Sequence, residues 1–119
     1  MRQYTLDHLS DAVLLCELSE LAARDRSTTA DLLAHIAEVD DRRLYAPAAY
    51  PSMFAYCVEE LHMSEDAAYR RIHVARAARK FPMLFGELES GRLHLSAVSL
   101  LAPHLTAENL EDLIAGARH

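Results

Sequence analysis

A chain of 119 residues with 51% hydrophobic content is long enough for one domain with a core of its own. Three glycines and four prolines against abundant alanine and leucine predict an all-α fold, and Cys16 and Cys57, isolated and without CxxC spacing, argue against a disulfide framework or a thiolate metal site. The net charge of −6 arises wholly in the first sixty residues, with five basic and eleven acidic side chains, while residues 61–119 balance at seven each; an acidic chain of this kind meets nucleic acid only through a local basic patch.

Met1 to Leu9 is expected to be a lead-in, with Asp7 or Ser10 available to cap the first helix. No signal peptide is visible, because the apolar run from Ala12 to Cys16 is short and is followed by Glu17 and Glu20. No stretch is long enough to span a bilayer, so a cytoplasmic protein is expected, with both cysteines buried as small apolar residues in a reducing compartment.

Residues 10–45 contain no proline or glycine, and apolar side chains recur at Leu14, Leu18, Leu21, Leu32, Ile36 and Val39. This predicts a long amphipathic helix of roughly 50 Å, with room for a bend near residue 27, where Arg24 to Thr29 interrupts the stripe. Thr28 with Asp31 offers a capping box, so a hairpin folded back at Ser27 is the alternative. A continuous helix would outrun so small a domain, and its stripe of Leu14, Leu18, Leu21, Leu32 and Ile36 would then form a homodimer interface.

Pro47 and Pro51 end the helical pattern, and Tyr45, Tyr50, Phe54 and Tyr56 around them are expected to plug the junction. Residues 52–80 then read as a helix-turn-helix-like pair. Ser52 and Ser64 each precede an apolar run where an N-cap belongs, and Leu61-His62-Met63-Ser64 forms the turn, with His62 where such turns often place glycine. From Ala67 to Lys80 the second helix carries Arg70, Arg71, Arg76, Arg79, Lys80 and His73 and no acid. At helical spacing Tyr69, His73, Arg76 and Lys80 share a stripe with Arg70 beside it, while Ala68, Ile72 and Ala75 form a separate apolar one. The stripe has two readings: a DNA-binding face of Tyr69, Arg70, Arg71, His73, Arg76 and Lys80, or a solvated helix whose last basic residues complement its dipole. Glu65 and Asp66 weigh against base reading, because they occupy the first turn and repel phosphate.

Residues 82–116 are expected to fold into a cap of three short helices. The first begins at Pro82 and carries Leu84, Phe85 and Leu88 inward until Ser90-Gly91; the second spans Ala97 to Ala102 before Pro103; the third opens at Thr106 and carries Leu110, Leu113 and Ile114. Arg92, after Gly91, could add a phosphate contact. The chain stops at Arg118-His119 without a polar tail, which suggests a piece of a longer protein.

Little here points to catalysis. The seven histidines are dispersed, with no HxxxH or HExxH spacing, and Asp40-Asp41 is followed by Arg42-Arg43, which favours ion pairing over a magnesium site. There is no glycine-rich phosphate loop and no nucleophile elbow, so the expectation is a non-catalytic chain with no cofactor and no metal.

The words LLAHIAEVDDRRLY, SMFAYCVEELHMSEDAAYRRIHVARAARKFP and GRLHLSAVSLLAPHLTAENLEDLIAGARH, in that order, resemble the helical N-terminal region of bacterial HNH endonuclease proteins. The resemblance implies an HNH nuclease domain C-terminal to this region in the parent protein. It transfers no catalytic residue to this sequence, since the nuclease's paired histidines and asparagine have no counterpart in it. What it implies for this chain is an accessory module that binds or positions DNA; the alternative is a homodimerising interaction or regulatory module without nucleic-acid contact.

Overall fold

The computed structural model describes residues 4–118, so the first three residues of the expected lead-in, and His119, lie outside it. The described residues form an all-helical fold: α1 (Asp11–Arg42), α2 (Met53–Ala55) continuing as a π-helical turn (Tyr56–Glu60), α3 (Glu65–Lys80), α4 (Met83–Ser90), α5 (Leu95–Leu101) with a 3₁₀ turn (Ala102–His104), and α6 (Leu110–Ala117). Among these residues no helix is long and apolar enough to cross a membrane.

Ser10 caps α1 by accepting a hydrogen bond from the Val13 N–H at 3.3 Å, and the helix runs unbroken through Ser27. The hairpin alternative is thereby excluded, and Thr28 and Asp31 serve as ordinary helix positions. The helix ends three residues before the expected Tyr45, where Arg43 turns left-handed at φ 55° and the Leu44 N–H reaches back to the Val39 carbonyl.

Only the C-terminal part of α1 is built into the body. Leu33, Ile36 and Ala37 are buried against α3 and α4, and Leu32 packs at the edge of the same core. Ile36 and Leu32 therefore belong to the chain's own interior, which corrects their assignment to a dimer interface. Residues 11–26 are all exposed, Leu14, Leu18 and Leu21 included. This projecting arm explains a radius of gyration of 17.0 Å, against about 13.5 Å for a compact domain of this length. Cys16 lies on the arm and is exposed, contrary to expectation, while Cys57 is buried.

At the corner both serines act as expected. Ser52 accepts from the Ala55 N–H at 3.0 Å, and Ser64 from the Ala67 N–H at 3.1 Å. The first helix of the pair is shorter than expected and mostly π-wound, closed by the Leu61 N–H on the Tyr56 carbonyl at 3.2 Å. The wider turn brings three successive side chains, Tyr56, Cys57 and Val58, toward the core, an arc that a 100° step covers poorly. His62 occupies the left-handed region at φ 59°, the conformation for which a glycine would be the usual choice.

α3 is the central element, packed on α1, α2, α4 and α5. Ala68, Ile72 and Ala75 are buried as their spacing predicts, joined by Val74 and Ala78. Small residues let the neighbouring backbones approach, so Ala68, Ala75 and Ala78 are fully covered.

The junction aromatics divide. Tyr45 and Tyr56 pack against the core, Tyr50 meets Tyr56 edge-on at 5.3 Å and donates to Glu60 at 2.7 Å, and Phe54 is exposed rather than plugging the junction. The hydrogen bond to Glu60 raises the Tyr50 phenol above its ordinary range. Ahead of α6, Thr106 and Asn109 form a reciprocal capping box: Thr106 Oγ1 accepts from the Asn109 N–H at 3.1 Å, and Asn109 Oδ1 from the Thr106 N–H at 2.7 Å.

The arm's base is fastened at the end of α4. Arg26 Nε donates to the Glu89 carbonyl at 3.2 Å and lies across Gly91, which closes α4 at φ 81°. A Cβ on Gly91 would sit 3.2 Å from Arg26 Cδ and Nε, in a conformation that L residues resist. Gly91→Ala is expected to lower stability by about 1 kcal/mol, measured by urea denaturation; an unchanged midpoint would mean that the strain is relieved locally.

Candidate nucleic-acid interface

The exposed side of α3 faces α5 and its 3₁₀ extension across an open groove of ≈ 400 Å³, lined by Tyr69, His73, Arg76 and Lys80 on one wall and by Ser99, Ala102 and Pro103 on the other. Tyr69 is 61% exposed and leans on His73, with ring centroids 4.3 Å apart and planes tilted by 54°. This ring pair is a ridge. Beyond it a second hollow is lined by Ser52, Phe54 and Ile72, and toward the start of α3 a third holds Arg70 with Asp66, Ser96 and Leu100. The stripe read from helical spacing thus exists as a surface with an aromatic crest.

Its charge is smaller than the sequence suggests, because α1 supplies acids to the end of α3. Arg76 is bidentate to Asp40, Nε to Oδ2 at 2.8 Å and Nη2 to Oδ1 at 3.0 Å, with the Asp40 side chain only 15% exposed. Arg79 bridges Glu38 at 3.0 Å and Asp41 at 2.8 Å, and Arg42 holds the other Glu38 oxygen at 2.7 Å. Hydrogen bonding to Arg42 and Arg79 keeps the Glu38 carboxyl below its usual range, and the bond to Asp40 raises Arg76 further. The Asp40-Asp41 pair is thus spent on the neighbouring helix. Among the described residues no three His, Cys, Asp or Glu side chains gather in a metal-binding arrangement.

Two of the expected contact residues lie away from this surface. Arg71, one position from Arg70, is turned to the packed side of α3 near Cys57, half-buried, with its Nε enclosed and without a hydrogen-bond partner. Burial pushes the Cys57 thiol up, and the Arg71 charge opposes that shift. Arg92 lies 3.5 Å from Glu87 of α4. Lys80 sits 5.5 Å over the Phe81 ring, at the far end of the stripe.

Tyr69, Arg70, His73 and Lys80 remain as an exposed set. None of the four enters a salt bridge among the described residues. Arg70 and Lys80 are ten residues apart, roughly 15 Å along the helix, or about four phosphate steps on one strand of B-DNA. Such a surface suits backbone contacts at its two ends, with the ring pair seated between them.

The buried carboxylate of Glu87 is a site that the sequence reading missed. Its oxygens accept from Arg118 Nε at 2.7 Å and Nη2 at 2.9 Å, tying the end of α6 to α4. No local pattern signals this pair, whose members are 31 residues apart. No protein-family model matches the chain, and no curated protein or solved structure matches it either.

Proposed function

We propose that this chain is a non-catalytic accessory module that binds and positions DNA, working in its parent protein beside a C-terminal HNH nuclease domain. The observation that carries the reading is the Tyr69–His73 ring pair raised between grooves, with Arg70 and Lys80 at either end outside any salt bridge among the described residues. The resemblance of the chain from residue 33 onward supplies the nuclease context. Glu65 and Asp66 in the first turn of α3 disfavour insertion of that end into a major groove, so α3 lies along the backbone and contributes position more than sequence readout.

Binding of a labelled random-sequence duplex, followed by fluorescence anisotropy across a salt series, tests this. Arg70→Glu with Lys80→Glu is expected to weaken binding at low salt by at least about tenfold and to reduce the salt slope by about two. Both side chains are exposed, so the fold is retained. Binding that survives the double reversal, or a wild-type chain that does not bind at low salt, rejects the assignment.

A second reading, an interaction or regulatory module without nucleic-acid contact, is favoured by one observation: α1 already neutralises Arg76 and Arg79. Absence of binding at low salt would select it.

A further inference from the structure

The arm of α1, residues 11–26, is exposed along its whole length of roughly 24 Å. Leu18 is 63% exposed and Leu21 56%, although both belong to one regular stripe. Leu14, Leu18 and Leu21 succeed one another at steps of four and three, the spacing of a helix–helix seam, with Leu15 and Ala22 on one flank and Glu17 and Arg24 on the other. An isolated helix of this length is marginal in water, and a stripe of exposed leucines calls for a cover.

We infer that the cover is a second copy of this chain, its arm laid antiparallel on the first. The flanking charges choose the partner and its direction. With Leu18 opposite the partner's Leu21, Leu15 packs beside the partner's Ala22 and Glu17 meets the partner's Arg24; the two-fold axis makes each of these contacts twice. Neither Glu17 nor Arg24 enters an ion pair within the chain among the described residues, so both are available to the partner. A parallel pairing forfeits these bonds, because it sets Glu17 beside the partner's Ala22 and stacks Asp25 on the partner's Asp25 in the seam. The antiparallel seam places Asp25 at its end, across from Leu14, where water reaches it. It also sends the two helical bodies to opposite ends, so that both α3 surfaces stay open. Pairing of the arms is independent of what the α3 surface binds.

The test is the mass of the chain by sedimentation equilibrium over a concentration series at low salt. A concentration-dependent dimer is expected. Glu17→Arg alone and Arg24→Glu alone each turn two attractions into repulsions and should weaken association on the order of tenfold, while the double swap restores it. Leu18→Glu with Leu21→Glu should give a monomer whose helical content by circular dichroism falls by no more than the share of the arm, since both sites are exposed in the single chain and the core is untouched. A monomeric wild type, or a double swap that stays as weak as the single variants, overturns the proposal. So does a dimer indifferent to both charge reversals, because it would pair in another direction or through another surface.

Discussion

Replacing Asp40 and Asp41 together by asparagine is expected to tighten DNA binding several-fold at low salt, and to steepen the salt dependence by up to about one. The gain comes chiefly from Arg76, whose carboxylate partner is Asp40. Arg76 lies on the groove wall beside His73, yet its Nε and Nη2 both point to Asp40; Arg79 comes one turn later between Glu38 and Asp41. Asparagine keeps one oxygen acceptor for each guanidinium, and Arg76 is then no longer cancelled and can meet a phosphate, while Arg79 still faces Glu38. Stability should fall modestly, more through Asp40, whose side chain is 15% exposed, than through the half-exposed Arg79–Asp41 pair. Anisotropy titration beside a thermal melt reads both quantities. An unchanged affinity with an intact fold would confine the contact surface to Arg70, Lys80 and the rings. Removing Arg76 instead would confound the two effects, since it leaves the largely covered Asp40 without its partner.

The elements that could be read from the sequence were those with a local cause. Ser52 and Ser64 cap because a hydroxyl ahead of an apolar run has backbone N–H groups to satisfy, and α1 is continuous because nothing within it breaks a helix. What burial each half of α1 receives was not legible. Leu14 and Ile36 share the same periodicity, and only the reach of α3 and α4 over the second half distinguishes a core residue from an exposed one. Arg71 was within reach of helical arithmetic: it falls between Ala75 and Ala78 on the wheel, on the packed side, some 100° from Arg70. The ion pairs of Arg76 and Arg79 were not, because they join residues 36 to 41 apart, whereas the sequence offered Asp40-Asp41 an adjacent Arg42-Arg43. The π turn was equally hidden, since a shift of hydrogen bonds by one residue leaves no compositional trace.

Glu87→Ala is expected to lower stability by about 1–2 kcal/mol, because it removes the carboxylate that pairs with Arg118 and faces Arg92 from within the packed side of α4. The Glu87 side chain is 7% exposed, whereas Arg118 is 39% and Arg92 62% exposed, so water takes over part of what the carboxylate gave them. Its backbone carbonyl, which accepts from Ser90 Oγ and the Leu93 N–H, is retained in the variant, so the loss belongs to the side chain. The same pair sets an acid sensitivity. Hydrogen bonding to Arg118 outweighs burial and holds the Glu87 carboxyl below its ordinary value of 4.5, which the unfolded chain restores. The stabilisation is therefore complete above about pH 4.5 and is lost as pH falls through the lower folded-state value. Wild type should show a falling melting temperature on acidification in that window. Glu87→Gln should melt lower at neutral pH and depend less on pH below it, the gap between the two closing as Glu87 protonates. Glu38, held down by Arg42 and Arg79, titrates in the same direction but is half exposed, so its share is screened. Parallel curves for wild type and Glu87→Gln would assign the acid response to other carboxylates and reduce the α4–α6 clamp to a packing contact.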